Sequence, residues 1–368
     1  MRGETVARLI ESTPQTDGFR MPGEFEPHAR TWLLWPQRPD VWRLGGKPAQ
    51  RTWVELATTI ARFEPVTVCA NHDQFDNARA RLPDHVRVLE ISNDDAWLRD
   101  SGPSFVVNDH GDVRLVDWRF NSHGQGLATW EKDDRVARKI AEIEAVDRYR
   151  APLVLEGGSI HVDGEGTVLT TEECLLNPNR NPDHSREDVE RHLCDYLGVT
   201  TVVWLGRGLD PDVTSGHVDD VAMFVRPGVV ALAWSDDPED WRRESLVENL
   251  ERLERATDGR GRPFEVHKIP LPDDVVLTQE EAAGIDQVEG TLPLPAGFRQ
   301  AATYVNCYVC NGAVVMPTFD DPKDGEARAA LQRLFPDREI VPLPSREIIL
   351  AGGNVHCVTQ QQPVTGRR

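Results

Sequence analysis

No apolar stretch in this 368-residue chain approaches the ~20 residues that a membrane-spanning helix needs. Residues Met1 to Phe19 also lack the apolar core of a secretory signal. Cysteine is scarce: the six residues Cys69, Cys174, Cys194, Cys307, Cys310 and Cys357 are too few for a disulfide scaffold, and a reducing cytoplasm is the expected setting. Positive charge is short as well. Against 61 Asp and Glu stand 41 Lys and Arg, for a net charge of -20. Nucleic acid and anionic membrane surfaces need basic clusters, so neither is an expected partner. A small cationic ligand is favoured instead by long-range attraction. No phosphate-cradling loop or dinucleotide fingerprint occurs, and no cofactor is expected. No Pro/Gly/Ser-rich linker divides the chain. Residues 1–20 read as a loose arm and 21–368 as a single domain.

What is present is a recurring unit. Four hairpins are expected: Ser104–Val107 with Val113–Trp118, Ile160–Val162 with Thr167–Thr171, Val218–Val225 with Val229–Trp234, and Tyr304–Val309 with Ala313–Met316. Helices follow three of them, near Glu187–Leu197, Trp241–Glu254 and Gly325–Phe335, the last two after Asp-Asp-Pro starts. Strands at Thr201–Leu205 and Glu339–Pro342 come next. A fifth unit forms if Val355–Thr359 pairs with Thr31–Trp35, joining the chain ends and removing exposed sheet edges. The expected fold is therefore α/β, a five-bladed pseudo-symmetric propeller of hairpin-helix-strand units, with an ordinary open α/β sheet as the competitor. A sequence echo agrees. Leu155-Glu156-Gly157-Gly158-Ser159-Ile160-His161-Val162 returns 195 positions later as Leu350-Ala351-Gly352-Gly353-Asn354-Val355-His356-Cys357.

Four islands crowd chemistry. Asp94 to Pro103 gathers acids with Trp97, Arg99 and Asp100. Glu156-Gly157-Gly158 offers a carboxylate at a glycine corner. Ser215-Gly216-His217-Val218-Asp219-Asp220 places His217 and Asp219 at i and i+2, on one face if the segment is a strand. Gly352 to Cys357 ends on a thiol, a candidate nucleophile whose active form is the thiolate. A solvated strand face and a small buried thiol are the plainer readings of the last two. Cys307-x-x-Cys310 resembles half of a zinc or redox motif, but with no second pair or spaced histidines no metal site is expected.

With these islands in view, the chain resembles the agmatine deiminases of the guanidine-modifying (pentein) superfamily, relatives of the bacterial peptidyl-arginine deiminases. The resemblance is carried by Met21-Pro22-Gly23-Glu24-Phe25-Glu26-Pro27-His28, by Trp32-Leu33-Leu34-Trp35-Pro36, and by Trp42 to Gln50. It continues in Thr170-Thr171-Glu172-Glu173-Cys174-Leu175-Leu176-Asn177, in Asn179-Arg180-Asn181-Pro182, and in Arg346 to Pro363. It implies a metal-free and cofactor-free hydrolysis of a guanidinium, releasing N-carbamoylputrescine and ammonia when the substrate is agmatine. It also implies roles. Cys357 attacks the guanidinium carbon, Asp100 and Asp219 accept its N–H bonds, His217 shuttles protons, and Glu156 orients His217. Trp97, Gly353 and Asp212 join Asp100 and Asp219 in holding the substrate.

One departure bears on the substrate. The family usually reads Asp-Glu-Thr-x-Gly-His, where this chain has Asp212-Val213-Thr214-Ser215-Gly216-His217. The missing Glu is a partner for the far amine of agmatine, a part that Val213 cannot take. His123 replaces a residue that is usually Trp. The alternatives are thus a deiminase for another alkylguanidine, an amidinotransferase using the same amidino-cysteine, and a non-catalytic guanidine-binding protein. A homodimer is compatible with the sequence.

Overall fold

The computed structural model describes residues 7–124, 129–209, 213–289, 291 and 293–366. Its strands fall into five separate mixed sheets. One wiring repeats. A strand pairs antiparallel with the strand before it and parallel with the strand after it, and a helix makes the parallel crossover. Thr167–Thr171 pairs with His161–Val162 and with Thr201–Leu205 across the helix Arg186–Leu197. Val229–Trp234 pairs with Ala222–Arg226 and with Glu265–Pro270 across Arg243–Arg255. Ala313–Thr318 does the same with Tyr308–Cys310 and Glu339–Pro344 across Asp324–Leu334. Val113–Arg119 pairs with Ser104–Asn108 and Arg148–Val154 across Val136–Glu144.

The fifth unit takes its antiparallel strand from the far end of the chain. Thr359–Pro363 lies against His28–Leu34, with Thr359 opposite Leu33 and Gln361 opposite Thr31, and His28–Leu34 runs parallel to Val66–Ala70. The expected union of the chain ends is present, with its strand starting at Thr359 rather than Val355. No sheet closes on itself among the described residues, so the observed architecture is an α/β fold of five mixed sheets.

Local chemistry sets the element boundaries. Ser185 and Asp188 form a reciprocal capping box at the start of Arg186–Leu197, and Gly198 ends that helix with φ 66°. The segment expected as a loose arm is docked over its described part. Leu9–Ile10 pairs with Arg148–Tyr149, Phe19–Arg20 pairs with Val107–Asn108, and Phe19 is buried. Its short strands were hidden in a polar composition because they cover sheet edges rather than build a core of their own.

The apolar faces pack into three main clusters. One gathers Trp32, Trp35, Trp42 and Trp53 with the strands around them. Three buried glutamines follow the candidate nucleophile, and each must find partners. Gln362 accepts from the Trp32 indole N–H at 2.8 Å and donates to Glu144 at 3.1 Å. Replacing Gln362 by Leu strands that indole N–H, and the unfolding free energy should fall by about 1–3 kcal/mol in urea titration. An unchanged midpoint contradicts this account of the joined ends.

Candidate active site

In every sheet the residues just before the hairpin converge on one place. Asp100 precedes Ser104, Gly158 precedes His161, Asp219 precedes Ala222, Asn306 precedes Tyr308 and Cys357 precedes Thr359. Contacts join them. Gly158 N–H donates to Asp100 Oδ1 at 3.0 Å, Asn306 Nδ2 donates to Cys357 Sγ at 3.2 Å, and Cys357 Sγ lies 3.7 Å from Asp219 Oδ2.

Cys357 sits in a single helical turn, Val355–Val358, rather than in the expected strand. The reason is a side-chain cap. Asn354 Oδ1 accepts from Val355 N–H at 2.9 Å, and Asn306 Oδ1 accepts from His356 N–H at 3.0 Å, so the backbone turns before it can extend. The preceding corner has to be glycine. A Cβ on Gly353 would lie 2.6 Å from the Trp97 ring and 3.2 Å from Cys357 Cβ.

His217 and Asp219 meet by a different route from the expected one. Val218–Asp220 is a 3-10 turn and the strand begins at Ala222, so strand alternation does not align them. The turn does. His217 Nδ1 lies 3.8 Å from Asp100 Oδ1 and 3.9 Å from Asp219 Oδ1, and Nε2 lies 3.9 Å from Glu156 Oε2. All three polar groups crowd Gly158. A Cβ there would stand 2.6 Å from His217 Nδ1 and 2.9 Å from both Asp100 Oδ1 and Asp219 Oδ2.

Buried cations back these acids. Arg180 Nε donates to Glu156 Oε1 at 3.1 Å, with both side chains fully buried. His356 bridges Asp219 Oδ2 at 2.7 Å and Glu24 Oε2 at 2.8 Å, and Arg99 joins Glu24 at 3.1 Å. Burial alone would raise Glu156, but the Arg180 charge and His217 hold it well below the ordinary carboxylate range. Asp219 is likewise pulled down against burial, chiefly by His356. Burial would lower His217, yet Asp100, Cys174 and Glu156 hold it well above the usual imidazole value, so it is an imidazolium at neutral pH. The thiol goes the other way. Burial, then the charges of Asp219, Asp220 and Asp100, push Cys357 well above its ordinary value. These surroundings favour the charged imidazole and the neutral thiol. Asp219 Oδ1 accepts no hydrogen bond among the described residues.

Cys357, Asp100, Trp97 and Gly353 line one pocket of about 870 Å³, its open mouth included. Asp40, Asp95 and Asp133 line the same pocket beside Arg38, as does Val213. Asp95 accepts from the indoles of Trp42 at 2.7 Å and Trp97 at 3.0 Å, which fixes the Trp97 wall. Asp212 lies outside the described residues. Cys307 and Cys310 are buried, and Cys307 packs on Met223. Neither belongs to a group with metal-ligand spacing among the described residues. Glu24, His161 and His356 do have such spacing. However, His161 Nδ1 accepts the Phe224 N–H, which puts its proton on Nε2, and both His356 nitrogens face carboxylates. That trio does not fit a metal.

Sequence reasoning missed Glu24, Arg99, Arg180, Asn306 and His356. His356 carried a signal: it matches His161 in the sequence echo, and the two rings stack 5.9 Å apart.

The chain is similar to known proteins over nearly its whole length. The model of the Porphyromonas-type peptidyl-arginine deiminase family matches residues 20–363. An agmatine deiminase of Pseudomonas aeruginosa (strain LESB58) is 58% identical over 358 residues, 96% of this chain and 97% of that protein. A putative agmatine deiminase of Listeria monocytogenes serotype 4b is 57% identical over 362 residues, 97% of this chain and 99% of that one. The solved agmatine deiminase of Enterococcus faecalis superposes with a TM-score of 0.95 at 49% identity, covering 98% of this chain and 100% of that one.

The raised thiol has a direct readout. In the absence of any guanidine, alkylation of Cys357 by iodoacetamide, followed by site-resolved mass spectrometry, should climb about tenfold per pH unit from pH 7 to 9, because only the thiolate reacts. A rate that is flat over this range contradicts the assignment.

Proposed function

We propose, from the premise that this chain belongs to the Porphyromonas-type peptidyl-arginine deiminase family, that it hydrolyses agmatine to N-carbamoylputrescine and ammonia through a covalent amidino-cysteine. The observation that carries the reading is the pair of buried acids, Asp100 and Asp219, each within 4 Å of the His217 ring, with Asp219 also 3.7 Å from the Cys357 sulfur and with Asp100 and Cys357 lining one pocket. A planar cation with several N–H donors matches them, and Asp219 Oδ1 has lone pairs to spare.

In this reading the arriving guanidinium cancels the negative field that keeps Cys357 protonated. The thiol proton leaves to bulk water as the positive charge enters. The thiolate sulfur then bonds to the guanidinium carbon. The bond from that carbon to one terminal nitrogen breaks, His217 supplies the proton, and ammonia departs. The imidazole, now neutral, takes a proton from water as the water oxygen bonds to the same carbon. The carbon–sulfur bond breaks as the remaining hydroxyl proton passes to the sulfur, leaving the carbamoyl product and the thiol. Glu156, itself anchored by Arg180, holds the imidazole in place. Trp97 and Gly353 wall the channel.

The tail is read as cationic. Val213 offers the far amine no charge, but the carboxyl oxygens of Asp40, Asp95 and Asp133 line the same pocket, which supports hydrogen-bond acceptors for an ammonium there. Asp212 remains a proposed contributor to tail binding. We read residues 21–368 as a single domain, since strands from near both chain ends share one sheet. Corners of five sheets gathered around the nucleophile support a five-bladed pseudo-symmetric propeller.

The test assays ammonia release from agmatine, arginine, guanidinobutyrate and shorter and longer aminoalkylguanidines. Agmatine should be preferred, and Cys357→Ser should lose turnover while still binding agmatine by calorimetry. Undiminished turnover in Cys357→Ser ends the nucleophile assignment, and preference for an acidic or neutral tail ends the agmatine reading.

A further inference from the structure

His123 lines the pocket, the reaction just described does not use it, and its placement is unusual. Ser122 and His123 both adopt left-handed backbone, at φ 57° and 58°, and Gly124 follows at 70°. Two successive non-glycine residues in this region cost free energy that surrounding contacts must hold in place. Those contacts are present. Asn121 Oδ1 accepts from Gly124 N–H at 2.9 Å, and Asn121 Nδ2 donates to Asn179 O at 3.0 Å. Asn179 sits beside Arg180, the partner of Glu156. The corner is thus tied to the framework that holds the imidazole shuttle.

The corner delivers one ring. His123 Nε2 lies 3.0 Å from Asp100 Oδ2, and the imidazole packs edge-on against Phe120 with centroids 5.3 Å apart. Its other neighbour is the His217 ring at 5.8 Å. Asp100 Oδ1 already accepts the Gly158 N–H. With His123 Nε2–H on Oδ2, the carboxylate has one fixed donor on each oxygen. Its plane is set, and the remaining lone pair on each oxygen is left for an incoming N–H pair. Gly158 alone would leave the group free to turn about its Cβ–Cγ bond.

We infer that His123 is a positioning residue for substrate recognition, setting the Asp100 carboxylate in the orientation that takes two N–H bonds from the guanidinium. The inference rests on the deiminase reading. Its effect falls on binding, since the sulfur and the shuttle are held by other residues.

Two variants of equal side-chain length separate donor from bulk. His123→Met removes the donor, and His123→Gln restores an N–H donor of similar reach. For agmatine, His123→Met should raise KM at least about tenfold with kcat changed less than about threefold, the loss of a hydrogen bond to a charged group. His123→Gln should return KM to within about threefold of the parent. The same ordering should appear as Kd in calorimetry on a Cys357→Ser background, with thermal unfolding midpoints of all variants alike. If the Met variant does not fold, His123→Phe, which keeps a ring against Phe120, takes its place. Equal KM and Kd in Met (or Phe), Gln and parent overturns the inference, and so does a Gln variant as weak as the donorless one. Failure of Cys357→Ser itself to bind agmatine overturns the deiminase reading instead, so the two failures are distinguishable.

Discussion

The structure depends on keeping acids ionised where water is scarce. Glu24, Glu156 and Asp219 are all nearly or fully buried around the nucleophile and the imidazole of His217. An isolated buried carboxylate would take up a proton or unfold the site. Here Arg180 answers Glu156, and Arg99 with His356 answers Glu24 and Asp219. These outer cations let the inner face of the acids stay negative toward the cavity. In the proposed reaction the same field keeps the thiol protonated until a cation arrives, which ties the chemistry to occupancy by a ligand of the right charge.

The fold supplies these groups from distant parts of the sequence, from Glu24 to Cys357, without a long loop reaching inward. Each hairpin begins with a tight corner, and the corners rather than the strands carry the polar side chains. Corners can crowd this closely only where a side chain is missing. Gly158 makes room for His217, Asp100 and Asp219, and Gly353 makes room for Trp97 and the nucleophile turn. The sheets behind them are packed with buried apolar residues, which fixes the corners against rearrangement.

Much of the scaffold was legible in the sequence because its signals are local. Thr167–Thr171, Thr201–Leu205 and the helix ending at Leu197 follow from short apolar runs and the turn residues between them. The corners were misread, with His217–Asp219 and Val355–Val358 expected as strands. Apolar alternation there is genuine, but Asn354, Asn306 and Thr214 bond the backbone into turns, and Asn306 does so from about fifty residues away. The short strands within residues 7–20 escaped for a related reason: their partners lie in a sheet built from residues 104–154. Among the site residues, Cys357, His217, Asp100, Asp219 and Glu156 stood out as reactive types in islands, and resemblance to the guanidine-modifying superfamily supplied their roles. Arg180, Arg99 and His356 could not be read as partners of particular acids, because pairing of that kind exists only after folding.

The most direct test of this balance of charge is calorimetry of agmatine binding to the Cys357→Ser protein with and without Asp219→Asn, a change that keeps shape and removes one negative charge. The account predicts binding weaker by at least about thirtyfold in the doubly substituted protein, as expected when one member of a desolvated charge pair is lost. Binding within threefold of the Cys357→Ser parent would contradict it.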